Sequence, residues 1–117
     1  MHIIFGDDLA TTLADKYIVL ELDTIHFTEK DIRLKAYSVI ENPPFDQMLQ
    51  LDELKTLHTT LIEQYKHRDW AACLSGIAQL HGCWAGELDT FYDELTERIT
   101  QLQQQNPGPE WDYSIQK

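Results

Sequence analysis

The sequence is poor in positive charge. Its 117 residues include 9 lysines and arginines against 20 aspartates and glutamates, which gives a formal net charge of −11. A protein that binds nucleic-acid phosphates needs a basic face, and adsorption to anionic lipid headgroups depends on basic residues as well. The composition therefore argues against both kinds of partner, and we expect neither nucleic acid nor membrane contact from this segment.

Cysteines and long hydrophobic runs are also scarce. The two cysteines, Cys73 and Cys83, do not make a disulfide framework, and we expect free thiols in a reducing compartment. No apolar run approaches the length of about 18 residues that a transmembrane helix requires. The N-terminal segment carries Asp7 and Asp8 where a signal peptide has basic residues. These absences predict a cytoplasmic location.

Hydrophobic residues make up 43% of the chain, which is enough for the core of one small domain. The pattern changes at the two prolines, 43–44. Before them, residues 2–5 have the composition of a short strand and lead into a short helix. Residues 17–27 and 32–40 are rich in β-branched and aromatic residues, as strands are. We expect a β-α-β-hairpin unit in residues 1–42.

The pairing expected in this hairpin places two acids on one face of the sheet. Its register is set by a short loop and pairs Phe27 with Ile32, Ile25 with Leu34 and Val19 with Ile40. Glu21 and Asp23 then share one face, opposite the small residues Ser38 and Ala36. Such a notch with apolar walls would raise a carboxylate pKa, so Glu21 and Asp23 are candidate ligand-binding residues. The alternatives are a solvated face, or neutralisation by Lys35 or Arg33 from a shifted register.

After the prolines, apolar residues recur at helical spacing. Three helices are predicted, the first from Asp46 or Leu51 to Lys66, the second from near Asp69 to Gly82, and the third from Glu87 to about Gln104. Residues 46–105 therefore form a helical segment, and residues 106–117 form a tail that either docks or frays. The expected fold class is α+β, with the β-α-β-hairpin unit packed on the three helices.

The stretch GELDTFYDELTERI mixes aromatic and acidic residues because one helix has two faces. Asp89, Asp93 and Glu97 form a stripe at i, i+4 and i+8, which faces away from the apolar stripe. The simplest interpretation is a solvated face. In the alternative, these acids and Trp84 in the preceding loop form a partner-binding surface. For Trp84 itself, we expect instead that it fills a gap between the helices and the hairpin.

The sequence carries no recognisable catalytic or metal-binding motif. The candidate metal ligands of the helical half are His58, Glu63, His67, His81 and Cys83. His58 and His67 are nine residues apart and lack the i, i+4 spacing of a helical zinc pair. Glu63 and His67 do have that spacing, but the paired Glu-x-x-His motif of a di-metal bundle is absent. A nucleophile elbow and a phosphate-binding glycine loop are also absent. We therefore predict no catalytic residue, metal or cofactor in this chain, and we interpret His58 and His81 as packing residues.

Residues 3–42, IIFGDDLATTLADKYIVLELDTIHFTEKDIRLKAYSVIEN, resemble the closing segment of the catalytic domain of class III nucleotide cyclases. In that family a strand leads into a short helix and then into a hairpin. The hairpin opens with a Glu-Leu-Asp-like step, here ELD at 21–23, and closes on a Tyr-x-Val/Leu-like strand, here YSV at 37–39. The family's turn usually contains a Lys-Gly-Lys-like sequence, whereas residues 28–31 contain no glycine.

Three later stretches are similar to the helical tail that follows the catalytic domain in many bacterial adenylate cyclases. They are YKHRDWAACLSGIAQL (65–80), FYDELTERI (91–99) and PEWDYSI (109–115). That tail resembles a tetratricopeptide hairpin, in which Asp69 and Trp70 would open the second helix. The resemblance therefore implies a tetratricopeptide-like helix pair, capped by the third helix.

The resemblance implies the function of a part of an enzyme. The family's metal-binding aspartates, base-selecting residues and Asn-x-x-x-Arg helix all precede the strand matched to residues 2–5, so no residue here inherits those roles. The expected function is a non-catalytic C-terminal region of an adenylate or guanylate cyclase, structural or regulatory. Magnesium or manganese is implied for the parent enzyme. The expected partners are the rest of the catalytic domain or a protein regulator, and an open sheet edge is compatible with a homo-oligomer.

Two other functions stay open. A stand-alone interaction or adaptor protein would use the acidic stripe together with Trp84. A small-molecule binder would use the notch formed by Glu21 and Asp23. Neither alternative makes the chain alone an enzyme.

Overall fold

The computed structural model describes residues 2–40, 50–105, 107–109 and 111–116. These residues form a mixed α+β fold, as predicted, divided into two compact units. The sheet unit holds the described residues before position 43 and after position 111, and the helical unit holds those in between. The elements in chain order are β1 (His2–Phe5), α1 (Asp7–Leu13), β2 (Ile18–Phe27), β3 (Ile32–Ile40), α2 (Leu51–Lys66), α3 (Trp70–Leu80), a 3₁₀ turn (Trp84–Gly86), α4 (Asp89–Gln105) and β4 (Ser114–Gln116).

The sheet has the strand order β1-β3-β2-β4. β1 pairs antiparallel with β3. β2 and β3 form the predicted hairpin, in which Phe27 pairs with Ile32 and Ile25 with Leu34. β4 adds to the other edge of β2 in parallel, with Ile115 beside Ile25.

The end of the chain is held to the sheet by Asp112. Its carboxylate accepts hydrogen bonds from the backbone N–H and the hydroxyl of Ser114, and from Arg33 Nε at 3.0 Å. These bonds, chiefly those from Ser114, keep the pKa of Asp112 below its ordinary value. Residues 112–116 are therefore docked on the sheet unit in the structure.

The hairpin contains one irregularity, a β-bulge at Leu22. β2 has one residue more than β3 at this point, so the register changes along the hairpin: Asp23 pairs with Ala36, Glu21 with Tyr37 and Val19 with Val39. Because side chains alternate between the two faces, the extra residue moves Glu21 to the face opposite Asp23. The prediction that the two carboxylates share a face is therefore wrong.

The face that carries Glu21 is the one that α1 covers. Residues of the helix and of the sheet line a common groove there: Asp7, Ala10, Thr11, Ala14, Val19, Lys35 and Tyr37. The Tyr37 hydroxyl donates a hydrogen bond to the Asp7 carboxylate, so Asp7 ties α1 to β3. Lys35 Nζ lies 3.8 Å from Glu21 Oε1. The register shift thus places Lys35 beside Glu21, where its positive charge neutralises the carboxylate. This is the alternative to the predicted acidic notch.

In the helical unit, α2 and α3 form an antiparallel hairpin joined by residues 67–69. Leu61 of α2 lies against Cys73 and Gly76 of α3. Tyr65, one turn further along α2, meets Trp70 at the start of α3 with 5.8 Å between ring centroids. A later residue of α2 thus contacts an earlier residue of α3, which shows that the two helices run antiparallel.

The apolar stripe that the sequence predicts for α4 is buried except at Leu102, which is partly exposed. Phe91, Leu95 and Ile99 are all buried, and so is Leu88 just before the helix. The predicted alternative start of α2 at Asp46 lies outside the described residues. None of the helices in the described ranges is long and apolar enough to cross a membrane.

We predict that Gly76→Ala stabilises the protein. Gly76 lies inside α3, and an added Cβ would sit 3.7 Å from the nearest carbon of Leu61, an ordinary van der Waals distance. Replacing an interior helical glycine should raise the free energy of unfolding by about 0.5–1 kcal/mol, measured by urea denaturation.

Gly82→Ala is the matched control. Gly82 has a φ of +86°, a left-handed conformation in which a Cβ costs about 1–2 kcal/mol, so this substitution should destabilise the protein. A lower free energy of unfolding for Gly76→Ala would contradict the packing described between α2 and α3.

Candidate functional site

The face of the sheet opposite α1 carries large apolar side chains that remain exposed. Ile3 is 50% exposed, Phe5 45%, Ile32 43% and Leu34 37%. Phe27 lies on the same side, with its ring 6.2 Å from that of Phe5 in an edge-on arrangement. We call these five residues the open face.

The strand pairing explains why these residues share one face. Phe5 pairs with Ala36 across β1 and β3, and every second residue of β3 from Ile32 onwards points to the same side. Soluble proteins seldom leave contiguous apolar patches exposed, and such patches mark interaction sites. The open face is therefore the strongest candidate functional surface of the sheet unit.

The open face includes a groove with charged residues at its rim. The groove has a volume of about 440 Å³ and is lined by Phe27, Glu29, Lys30, Ile32 and Leu34. Its walls are apolar, while Glu29 and Lys30 of the hairpin turn supply one charge of each sign. This combination suits an apolar partner group flanked by polar ones.

β1 adds a second feature to the same region. It is an edge strand, and within the described ranges no strand pairs with its outer side. An edge strand presents unpaired N–H and C=O groups that can accept another strand. A partner that covers the open face can therefore also extend the sheet at β1.

The two predicted ligand-binding acids do not form one site. Glu21 lies on the α1 face near Lys35, with 3.8 Å between Oε1 and Nζ, whereas Asp23 lies on the other face because of the bulge. Both side chains are partly buried. The structure thus separates the two carboxylates, and the geometry that suggested a shared notch is absent.

Trp84 does not belong to the predicted partner-binding surface, because its side chain is completely buried. Its indole N–H donates a hydrogen bond to the Tyr92 hydroxyl at 3.1 Å. The same hydroxyl lies 2.9 Å from His58 Nδ1, and His58 is also buried. Three polar side chains thus satisfy one another inside the helical unit, so that Trp84 is a core residue of this unit.

The stripe of three acids is partly engaged by the turn after α3. Asp89 Oδ1 accepts a hydrogen bond from the Gly82 N–H at 2.8 Å, and Asp93 Oδ1 lies 3.0 Å from His81 Nε2. Glu97 is exposed. Two of the three carboxylates therefore stabilise this turn, which is a structural role.

The thiols offer little nucleophilic chemistry. Burial, with a smaller contribution from Asp69, raises the pKa of Cys73 to about 11. Burial also raises the pKa of Cys83, again with an acid, Asp89, nearby. A protonated thiol is a poor nucleophile and metal ligand. Across the part of the chain that the structure describes, no group of three or more histidine, cysteine or acidic residues is placed to hold a metal ion.

The geometry favours the open face over the predicted acidic sites. It gathers residues from β1, β2 and β3 into one apolar surface, while it separates Glu21 from Asp23 and buries Trp84. The signal for it was present in the sequence as alternating apolar residues on both faces of the hairpin. No known protein family, curated protein or solved structure matches the chain.

We predict that Asp89→Ala destabilises the protein whereas Glu97→Ala does not. The Asp89 change removes a charge-assisted hydrogen bond to the Gly82 N–H and should lower the free energy of unfolding by about 1–2 kcal/mol. Glu97→Ala on the same helical stripe should stay within about 0.5 kcal/mol of wild type. Urea denaturation measures both, and equal effects would show that the Asp89 hydrogen bond contributes nothing specific.

Proposed function

We propose that this chain is a non-catalytic C-terminal region of a nucleotide cyclase, in which the open face of the sheet unit docks on the rest of the catalytic domain. The observation that carries the proposal is the open face itself, with four large apolar side chains between 37% and 50% exposed. The order of strand, short helix and hairpin, seen as β1, α1, β2 and β3, agrees with the order that the resemblance implies.

The energetics favour a covered open face. Burying one large apolar side chain fully is worth about 1.5–3 kcal/mol, so covering four half-exposed ones is worth roughly 3–6 kcal/mol. That gain is of the size of a small domain's entire stability. A sheet unit of this kind is therefore best understood as a component that is completed by further structure.

The chemistry of the reaction would lie outside this chain. The resemblance assigns the metal-binding aspartates to a segment that precedes the strand matched to residues 2–5. Two acids of this chain have contacts of their own within it, Glu21 with Lys35 and Asp89 with the Gly82 N–H. Magnesium or manganese would be held by the other part of the enzyme, and this region would contribute structure or regulation.

A stand-alone interaction protein is the second candidate, because the same open face would suit a separate protein partner. The surface would then be the open face rather than the acidic stripe. The small-molecule alternative has lost its geometric basis, since Glu21 and Asp23 lie on opposite faces. The two remaining candidates differ in whether the partner is encoded in the same reading frame.

We predict that the reading frame in the source DNA continues upstream of the Met1 codon. It should encode paired aspartates and an Asn-x-x-x-Arg helix, and the enzyme it specifies should form a cyclic nucleotide from ATP or GTP with magnesium or manganese. The 117-residue chain alone should form none. A stop codon directly upstream, or cyclic-nucleotide production by the isolated chain, would contradict the proposal.

We further predict that Leu34→Lys in that enzyme lowers cyclase activity at least about tenfold, because a buried unpaired charge at the docked face costs several kcal/mol. Leu9→Lys is the matched control. Leu9 is also an exposed leucine, at 46% against 37% for Leu34, but it lies in α1 and outside the open face. Circular dichroism confirms folding of both variants. Equal activity of the two variants would remove the open face as the docking surface.

A further inference from the structure

The helical unit holds a segment of the chain's own tail in a cluster of aromatic rings. The Trp111 ring lies 5.5 Å from the ring of Tyr65 and 5.5 Å from the ring of Trp70, edge-on to both. Tyr65 and Trp70 are themselves in edge-on contact. Edge-to-face pairs of this kind contribute beyond simple burial of area, so Trp111 is a specific anchor.

Arg68 binds the backbone of the same segment. Its guanidinium donates one hydrogen bond to the Pro107 carbonyl at 2.8 Å and one to the Gly108 carbonyl at 2.6 Å. The Arg68 Cζ atom also lies 5.1 Å from the centre of the Trp111 ring, a cation–π distance. One side chain therefore contacts three points along the segment.

The backbone of Arg68 is held in an unusual conformation that aims this side chain. Its φ is +63°, a left-handed value that costs a non-glycine residue about 1 kcal/mol or more. The Arg68 N–H donates to the Tyr65 carbonyl at 3.1 Å, which fixes the turn between α2 and α3. In the segment itself, the Trp111 N–H donates to the Gly108 carbonyl at 3.2 Å.

We propose that Tyr65, Arg68 and Trp70 form a recognition site for a peptide segment with a turn, closed here by the Trp111 N–H and the Gly108 carbonyl, and that Pro107, Gly108 and Trp111 supply the contacts of its resident ligand. The fork of Arg68 recognises two consecutive backbone carbonyls, and the two rings select the indole that follows. The ligand class is thus a segment with a proline carbonyl, a glycine carbonyl and a tryptophan three residues later. The proposal concerns the helical unit alone and does not depend on the cyclase assignment.

The covalent connection determines when this site can be observed. A tethered segment has a high effective concentration and outcompetes a free peptide of equal intrinsic affinity. The wild-type chain should therefore keep its site filled. Removal of the Trp111 ring should empty the aromatic part of the site while the rest of the chain stays intact.

The test uses the full chain with Trp111→Ala and a fluorescein-labelled peptide of residues 106–113, NPGPEWDY. Fluorescence anisotropy should show saturable binding to Trp111→Ala, and wild type should bind at least about tenfold more weakly because its own segment competes. A peptide with alanine in place of tryptophan should also bind at least about tenfold more weakly. A folded Trp111→Ala chain that does not bind the peptide, or binds both peptides equally, would overturn the proposal.

Arg68→Lys provides a second measurement that does not require the Trp111 variant to fold. Lysine keeps the charge but loses the planar fork, so the segment should detach more often. Hydrogen exchange of the Trp111 amide should then accelerate about tenfold, the effect of losing about 1.4 kcal/mol of charge-assisted hydrogen bonding. Exchange of the Ile77 amide in α3 is the internal control. Unchanged exchange at Trp111 would overturn the role of Arg68.

Discussion

An extra residue in β2, at the bulge of Leu22, determines which side chains each face of the sheet carries. Without it, Glu21 and Asp23 would share a face, and Lys35 would lie on the other side of the sheet from Glu21. With it, Glu21 meets Lys35 at 3.8 Å on the face that α1 covers. Because strand alternation has a period of two, a single insertion changes the facing of every residue before it. The bulge thus pairs an acid with a base and separates the two carboxylates.

A comparable constraint in the helical unit is the hydroxyl of Tyr92. It accepts the indole N–H of Trp84 and contacts His58 Nδ1, so three buried polar groups are satisfied together. Buried polar groups without partners cost far more than paired ones gain. Tyr92 therefore makes it possible for Trp84 to enter the core despite its position in a short turn. The ring that seemed available to a partner fills the interior of the unit instead.

The sequence patterns predicted the elements better than their details. The period of the apolar residues and the turn residues were sufficient to predict the hairpin and the helices. In the structure, Asp69 caps α3 by accepting the Ala72 N–H. The bulge was not predictable in this way, because Leu22 fits either register by composition. The burial of Trp84 was one of two alternatives that the sequence offered. Its hydrogen-bond partner, Tyr92, lies eight residues later, and the spacing of the residues did not reveal that contact.

The two units differ in the side chains that they expose and in the contacts that those side chains make. In the helical unit, Asp89 accepts the Gly82 N–H, and Arg68 holds the tail. The chain has a net charge of −11, and acids such as Asp89 stabilise a turn. Acidic surface residues also commonly favour solubility. The open face is different, since its side chains are apolar and its rim carries one charge of each sign. In the proposed function, recognition at this face would depend on shape and apolar contact rather than on net charge.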